Sequence, residues 1–119
     1  MNKGEVLIIE FLDYKENIRR CSEHTIRAYN IDLNQYLKFS LKKNFELLDT
    51  KSEDIQYYLS EIGQGDISNA SMARKLASIK SFYKYLANNK IIPTNIARSI
   101  KSPKKSKRLP NFLSVKEIK

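Results

Sequence analysis

The cations Arg74, Lys75, Lys80 and Lys84 and the hydroxyl residues Ser71, Ser78 and Ser81 fall within residues 68–86, SNASMARKLASIKSFYKYL, a stretch without a single carboxylate. Guanidinium, ammonium and hydroxyl groups share one chemistry, donation to phosphate oxygens and to the acceptor edges of bases. A solvated surface helix ordinarily mixes Glu with Lys to gain i,i+4 pairs, and this one does not. A plain surface helix of a lysine-rich protein is the competing reading. Elsewhere the residue types suited to catalysis are scattered. His24 is the only histidine and Cys21 the only cysteine, so neither an acid/base pair, nor a disulfide within the chain, nor a clustered metal site can be assembled. Glu53 and Asp54 are adjacent on a helical pattern and point apart, which argues against a carboxylate dyad. Tyr14, Tyr29, Tyr36, Tyr57, Tyr58, Tyr83 and Tyr85 fall mostly on packing faces, and aromatics at helical spacing serve as core rather than as nucleophiles. No glycine-rich phosphate loop occurs. The pattern predicts no cofactor and no metal.

The basic residues need a scaffold, and their own stretch supplies one. Met72, Leu76, Ile79, Tyr83 and Leu86 recur at steps of four and three, the spacing of an amphipathic helix, with Ser68 or Asn69 as its cap. Around the helix, Ser71, Arg74, Ser78, Ser81 and Tyr85 fall opposite that stripe, with Lys75, Lys80 and Lys84 on its flanks. Three further helices precede it. The first runs from Glu5 to about Arg20 with Val6, Ile9, Phe11, Leu12 and Ile18 as its apolar face, widened by Ile8. The second starts at Ser22 or Glu23 and carries Ile26, Tyr29, Leu33, Tyr36, Leu37 and Leu41 inward, His24, Arg27, Ile31, Asn34 and Lys38 outward. Thr50 and Glu53 form a capping box for a third, with Ile55, Tyr58, Leu59 and Ile62 inward and an acidic outer face. Gly63 or Gly65 is expected to stop it in a positive-φ conformation. Pro93, with Thr94 or Asn95 as cap, predicts a short fifth helix carrying Ile96, Ala97 and Ile100. The expected fold is all-α, a compact orthogonal bundle of four to five helices over residues 1–100. Residues 101–111, rich in lysine and interrupted by proline, read as a basic linker, and Ser114 with Glu117 as the cap of a helix that opens a further domain at 112–119.

Composition agrees. The chain has 119 residues, enough for one modest core, and a formal charge of +9. Residues 1–66 carry nine Lys/Arg against twelve Asp/Glu, whereas residues 67–119 carry thirteen against one. So one-sided a field calls for a polyanion, nucleic acid ahead of an anionic membrane surface. The opening residues MNKGEVLIIEFLDYKE hold too short an apolar run for a signal peptide or a span, which leads us to expect a soluble cytoplasmic protein.

Ser22-x-x-Thr25-x-x-x-Tyr29-x-x-Asp32-Leu33, then Thr50-x-x-x-Asp54-Ile55 with Tyr58-Leu59, then Ser71-x-x-Arg74-Lys75-Leu76 with Ile79-Lys80-x-Phe82-Tyr83-x-Tyr85-Leu86, occur here in order. With Ser102-Pro103-Lys104 and Arg108-Leu109-Pro110-x-x-Leu113-Ser114, this series resembles the N-terminal core-binding domain of the tyrosine recombinases, the Xer and phage integrase group with a SAM-like fold. One departure is Asn95-Ile96 where members often have Asn-Pro. The resemblance implies a domain that grips double-stranded DNA through the major groove with its second and fourth helices. Carried over by position, the contacts are Thr25 and Arg27 on helix two and Ser71, Arg74, Lys75, Ser78 and Lys80 on helix four; Lys104 and Lys105 in the basic tail complete the candidate set. It also implies that the catalytic Arg/Lys/His set and tyrosine nucleophile belong to a domain beyond these residues, so the chain by itself is not expected to be an enzyme. The alternative is a non-catalytic helical interaction module or transcription regulator whose basic tail binds nucleic acid without sequence preference; a helix-turn-helix would want a tighter connection than residues 63–69. In the resembling family four protomers assemble on two sites, and neighbouring core-binding domains touch through their first and fifth helices. That gives the surplus apolar surface of helix one a use, with Ile8 in the contact and a monomer expected free in solution.

Overall fold

The computed structural model describes residues 2–102. Four α-helices account for most of them: α1 (Lys3–Asn17), α2 (Glu23–Lys42), α3 (Ser52–Gly63) and α4 (Asn69–Asn88), with a short 3-10 turn at Leu47–Asp49 and no strand among the described residues. The fold is an all-α bundle.

Local chemistry sets where each helix begins. Asn2 accepts from the Glu5 N–H at 2.9 Å while the Glu5 carboxylate accepts from the Asn2 N–H at 3.3 Å, a reciprocal capping box that starts α1 earlier than its apolar pattern suggests. Ser22 and Ser68 cap α2 and α4 by accepting the N–H of Thr25 and Ser71, each at 3.1 Å. The cap of α3 is displaced by one residue from the expected Thr50–Glu53 box. Lys51 is the N-cap, its N–H given to Asp54 at 2.9 Å, and Thr50 instead donates to the Glu46 carbonyl at 2.8 Å.

Helix ends depart from expectation more clearly. Neither Gly63 nor Gly65 has a positive φ; the left-handed residues are Arg20 (φ 57°), Asn44 (φ 62°) and Lys90 (φ 59°). After α2 and α4 the chain closes as Schellman motifs, Phe45 N–H to the Ser40 carbonyl at 3.0 Å and Ile91 N–H to the Leu86 carbonyl at 2.9 Å, and that geometry selects the residues rather than their types. Gly63 serves packing: a Cβ there would stand 3.3 Å from the Met72 Cε at the start of α4. The expected fifth helix is a turn. Asn95 Oδ1 accepts the Ala97 N–H at 3.1 Å, and only isolated i,i+3 bonds follow, from Arg98 to Asn95 and from Ile100 to Ala97. A stretch so short cannot offset the cost of helix nucleation, and the Asn95 side chain competes for its first N–H. Ile92, Ala97 and Ile100 are nevertheless buried and close the core.

That core is aromatic. Phe11 makes edge contacts with Tyr29, Phe82 and Tyr85 at centroid distances of 5.3–5.6 Å, joining α1, α2 and α4. Tyr36 and Tyr83 share a hydroxyl hydrogen bond of 3.0 Å, and Tyr83 donates to the Leu47 carbonyl at 2.9 Å. Burial drives the Tyr36 hydroxyl far up and pushes Tyr83 and Tyr58 up to about 12, so all three are protonated structural groups. On α1 the apolar face is rotated from the expected one. Leu7, Ile8 and Phe11 are buried, Ile8 at 2% exposure, while Val6 and Ile9 stand 40% and 52% exposed. The surplus surface of α1 is therefore at Val6 and Ile9, and Ile8 is core.

Candidate nucleic-acid interface

The site is organised by a carboxylate on α2. Asp32 sits in the inward stripe Tyr29–Asp32–Leu33–Tyr36 and is 1% exposed. A buried carboxylate is tolerated only when its lone pairs are taken up, and α4 supplies the donors. Arg74 donates twice, Nε to Oδ2 at 3.2 Å and Nη2 to Oδ1 at 2.8 Å; Lys75 Nζ donates to Oδ1 at 3.1 Å and to the Gln35 Oε1; Ser78 Oγ donates to Oδ2 at 2.8 Å. Burial alone would raise the Asp32 carboxyl, but the hydrogen bonds from Arg74, Ser78 and Lys75 and the Lys75 charge outweigh it and hold the group below 3.8. One negative charge is thus matched against two positive ones.

Arg74 commits two of its five N–H donors to Asp32 and keeps three, with 53% of its side chain exposed. The clasp holds the guanidinium plane and turns its remaining fork to solvent, the arrangement suited to bidentate recognition of a phosphate or a guanine edge. Exposed Ala70, Ala73 and Ala77 on the open side of α4 leave its backbone accessible to a close surface.

The other candidate residues separate into groups. Ser71 lies on the Arg74 side near the start of α4, its hydroxyl accepting from Ser68 Oγ at 3.1 Å. Thr25 lies two helical turns before Asp32 on nearly the same line of α2, its hydroxyl accepting from Ser22 Oγ at 3.0 Å. Lys75 is 12% exposed and spent on Asp32 and Gln35. Ser78, expected on the open face, is 3% exposed because that side of α4 packs on α2, and its hydroxyl is consumed by Asp32. Arg27 belongs to another surface: it pairs with Glu23 at 3.3 Å and lines a groove between α1 and α2 with Asp13 and Glu16. Lys80 is half-buried and stands about 180° around α4 from Ser71. Lys104 and Lys105, like the expected linker beyond Ser102 and the start of a further domain, lie outside the described residues. Asp32 itself was legible only as a motif residue, although a carboxylate in an apolar stripe facing an acid-free helix is the signal of such a clasp.

A four-helix all-α domain that presents an acid-free helix is the class this fold and surface define. The chain belongs to the phage integrase N-terminal SAM-like domain family, whose model matches residues 8–90. It is 40% identical over 113 residues to the tyrosine recombinase XerC of Myxococcus xanthus, covering 94% of this chain and 37% of that protein. To a tyrosine recombinase of Pseudothermotoga lettingae it is 34% identical over 116 residues, covering 96% of this chain and 41% of the relative. The chain therefore spans about two fifths of the length of these curated relatives. In structure it matches the N-terminal domain of a phage integrase/site-specific recombinase from Haloarcula marismortui with a TM-score of 0.76 at 12% identity, over 84% of this chain and 95% of that one.

Proposed function

We propose that this domain is the DNA-gripping, core-binding part of a tyrosine recombinase, holding a recombination site through the major groove while a separate catalytic domain of the same protein breaks and rejoins the strands. The observation that carries this reading is Arg74, held by buried Asp32 with three donors left outward on a helix without carboxylates. α4 provides the central contacts with Arg74 and Ser71, and the first turns of α2 reach the flanking backbone through Thr25. Ser78 and Lys75 act on the protein side, fixing Asp32. Further protomers on paired sites are the other partners, and the exposed Val6 and Ile9 of α1 are available to them.

A titration of duplex DNA against salt tests the reading. Neutralising several phosphates predicts a log–log slope on the order of −4 to −6. Arg74→Ala is expected to cost about 1–3 kcal/mol on cognate DNA alone if it reads a base, and to weaken all sequences equally if it holds a phosphate. Absence of binding to any duplex at low salt refutes the reading.

A further inference from the structure

Two helical turns beyond Arg74, the same side of α4 meets the C-terminal end of α1 and forms a polar groove of about 210 Å³ lined by Tyr14, Lys15, Arg19, Ser81, Lys84 and Tyr85. Three cations share this small space, and among the described residues none of them has an ion pair with a carboxylate. Lys15 is held in place from below: its Nζ lies 5.7 Å from the ring centre of Phe11 and 5.6 Å from that of Tyr29, a cation–π seat that keeps the ammonium at the groove's edge. Arg19 is placed by the turn that ends α1, where Arg20 takes φ 57° and the Cys21 N–H returns to the Lys15 carbonyl at 2.9 Å. Tyr85 packs against Tyr14 in a tilted contact, centroids 5.0 Å apart. Burial, then the charges of Glu10 and Asp13 across α1, push the Tyr85 hydroxyl up, which keeps it a donor.

We propose that this groove seats a backbone phosphate of the duplex, a contact made by α1 and the second half of α4 rather than by α2. The inference rests on the DNA-gripping reading and adds a site to it. Arg74 and Lys84 are ten residues apart, about 15 Å along the axis, and the major groove is about 12 Å wide. When Arg74 lies over the bases, the groove at Ser81 and Lys84 therefore falls on the bordering strand, where Lys15, Arg19 and Lys84 meet phosphate charge. A contact of that kind carries no sequence information and fixes the angle at which α4 lies.

The test uses R19A/K84A in this chain, two exposed positions whose loss leaves the core untouched. The variant is expected to lower the magnitude of the salt slope by about 1 and to weaken cognate and scrambled duplexes by the same factor. A wild-type chain that binds with a steep slope, beside a variant with unchanged slope and affinity, overturns the groove while leaving the broader reading intact. A wild-type chain that binds no duplex removes both. Inorganic phosphate alone, followed through the amide resonances of residues 19, 81 and 84, separates the sources of the anion. Shifts with duplex and none with phosphate at equal concentration support a backbone contact, and saturating shifts with phosphate alone overturn it in favour of a free-anion site.

Discussion

Replacing Asp32 with Asn removes one charge and no volume, and its effect can be worked from the clasp. The amide keeps one acceptor oxygen for the four hydrogen bonds that Arg74, Lys75 and Ser78 now give to two. Its NH2 group is turned toward cations that offer it nothing. Losing a partner of a fully buried ion pair costs about 3–5 kcal/mol, because a charge is left stranded. Here the stranded groups are Arg74, half exposed, which water rescues, and Lys75, 12% exposed, which water rescues only in part. We therefore expect a loss of about 1–3 kcal/mol. In a domain of this size each kcal/mol lowers Tm by about 4–8 °C. The pH dependence gives a second handle. A carboxyl held below its unfolded value of about 3.9 adds stability that is present above that pH and lost as pH falls through the folded value. Wild type and Asp32→Asn should therefore differ most near neutrality and converge in acid. Urea denaturation followed by circular dichroism at a series of pH values measures both effects. An Asn variant within about 0.5 kcal/mol of wild type at pH 7, with a parallel acid limb, refutes the clasp as a source of stability.

Two further outcomes follow from burial and backbone geometry. Ile8→Ser should destabilise the domain by about 3–5 kcal/mol and Ile9→Ser by no more than about 0.5, because the first is core and the second half exposed; chemical denaturation of the pair checks the rotated face of α1. Lys90→Gly should stabilise by about 0.5–1 kcal/mol, since an exposed lysine there holds a left-handed φ that glycine adopts without strain; a calorimetric Tm at or below wild type counts against it.

Much of this architecture is legible in the chain before any fold is known, because helices declare themselves through period and caps. Met72, Leu76, Ile79, Tyr83 and Leu86 bury as their spacing predicts, and Ser68 caps α4. What the pattern cannot carry is pairing across the fold. Asp32 and Arg74 are 42 residues apart, and nothing local states that a carboxylate in one stripe and an arginine in another will meet. The same blindness misplaces Ser78, which lies between the buried stripe and the open face, so that only the position of α2 decides its side. On α1, Val6, Ile8 and Ile9 are interchangeable as hydrophobes, and the neighbouring helices alone select Ile8 for the core. Helix ends read least well: the left-handed φ expected of Gly63 or Gly65 falls instead on Arg20, Asn44 and Lys90.

Two of the long-range polar ties of α4, Ser78 and Arg74 to Asp32 and Tyr83 to Leu47, also define an angular reference for the helix. Apolar packing resists separation but yields to small rolls about the axis, whereas hydrogen bonds near 2.8 Å do not. A roll of about 20° carries a side-chain tip about 6 Å from the axis through roughly 2 Å, enough to break either tie. The helix is thereby keyed like a shaft in its hub. The direction in which Arg74 projects belongs to the bundle before any partner arrives, and little ordering of that side chain remains for binding to supply.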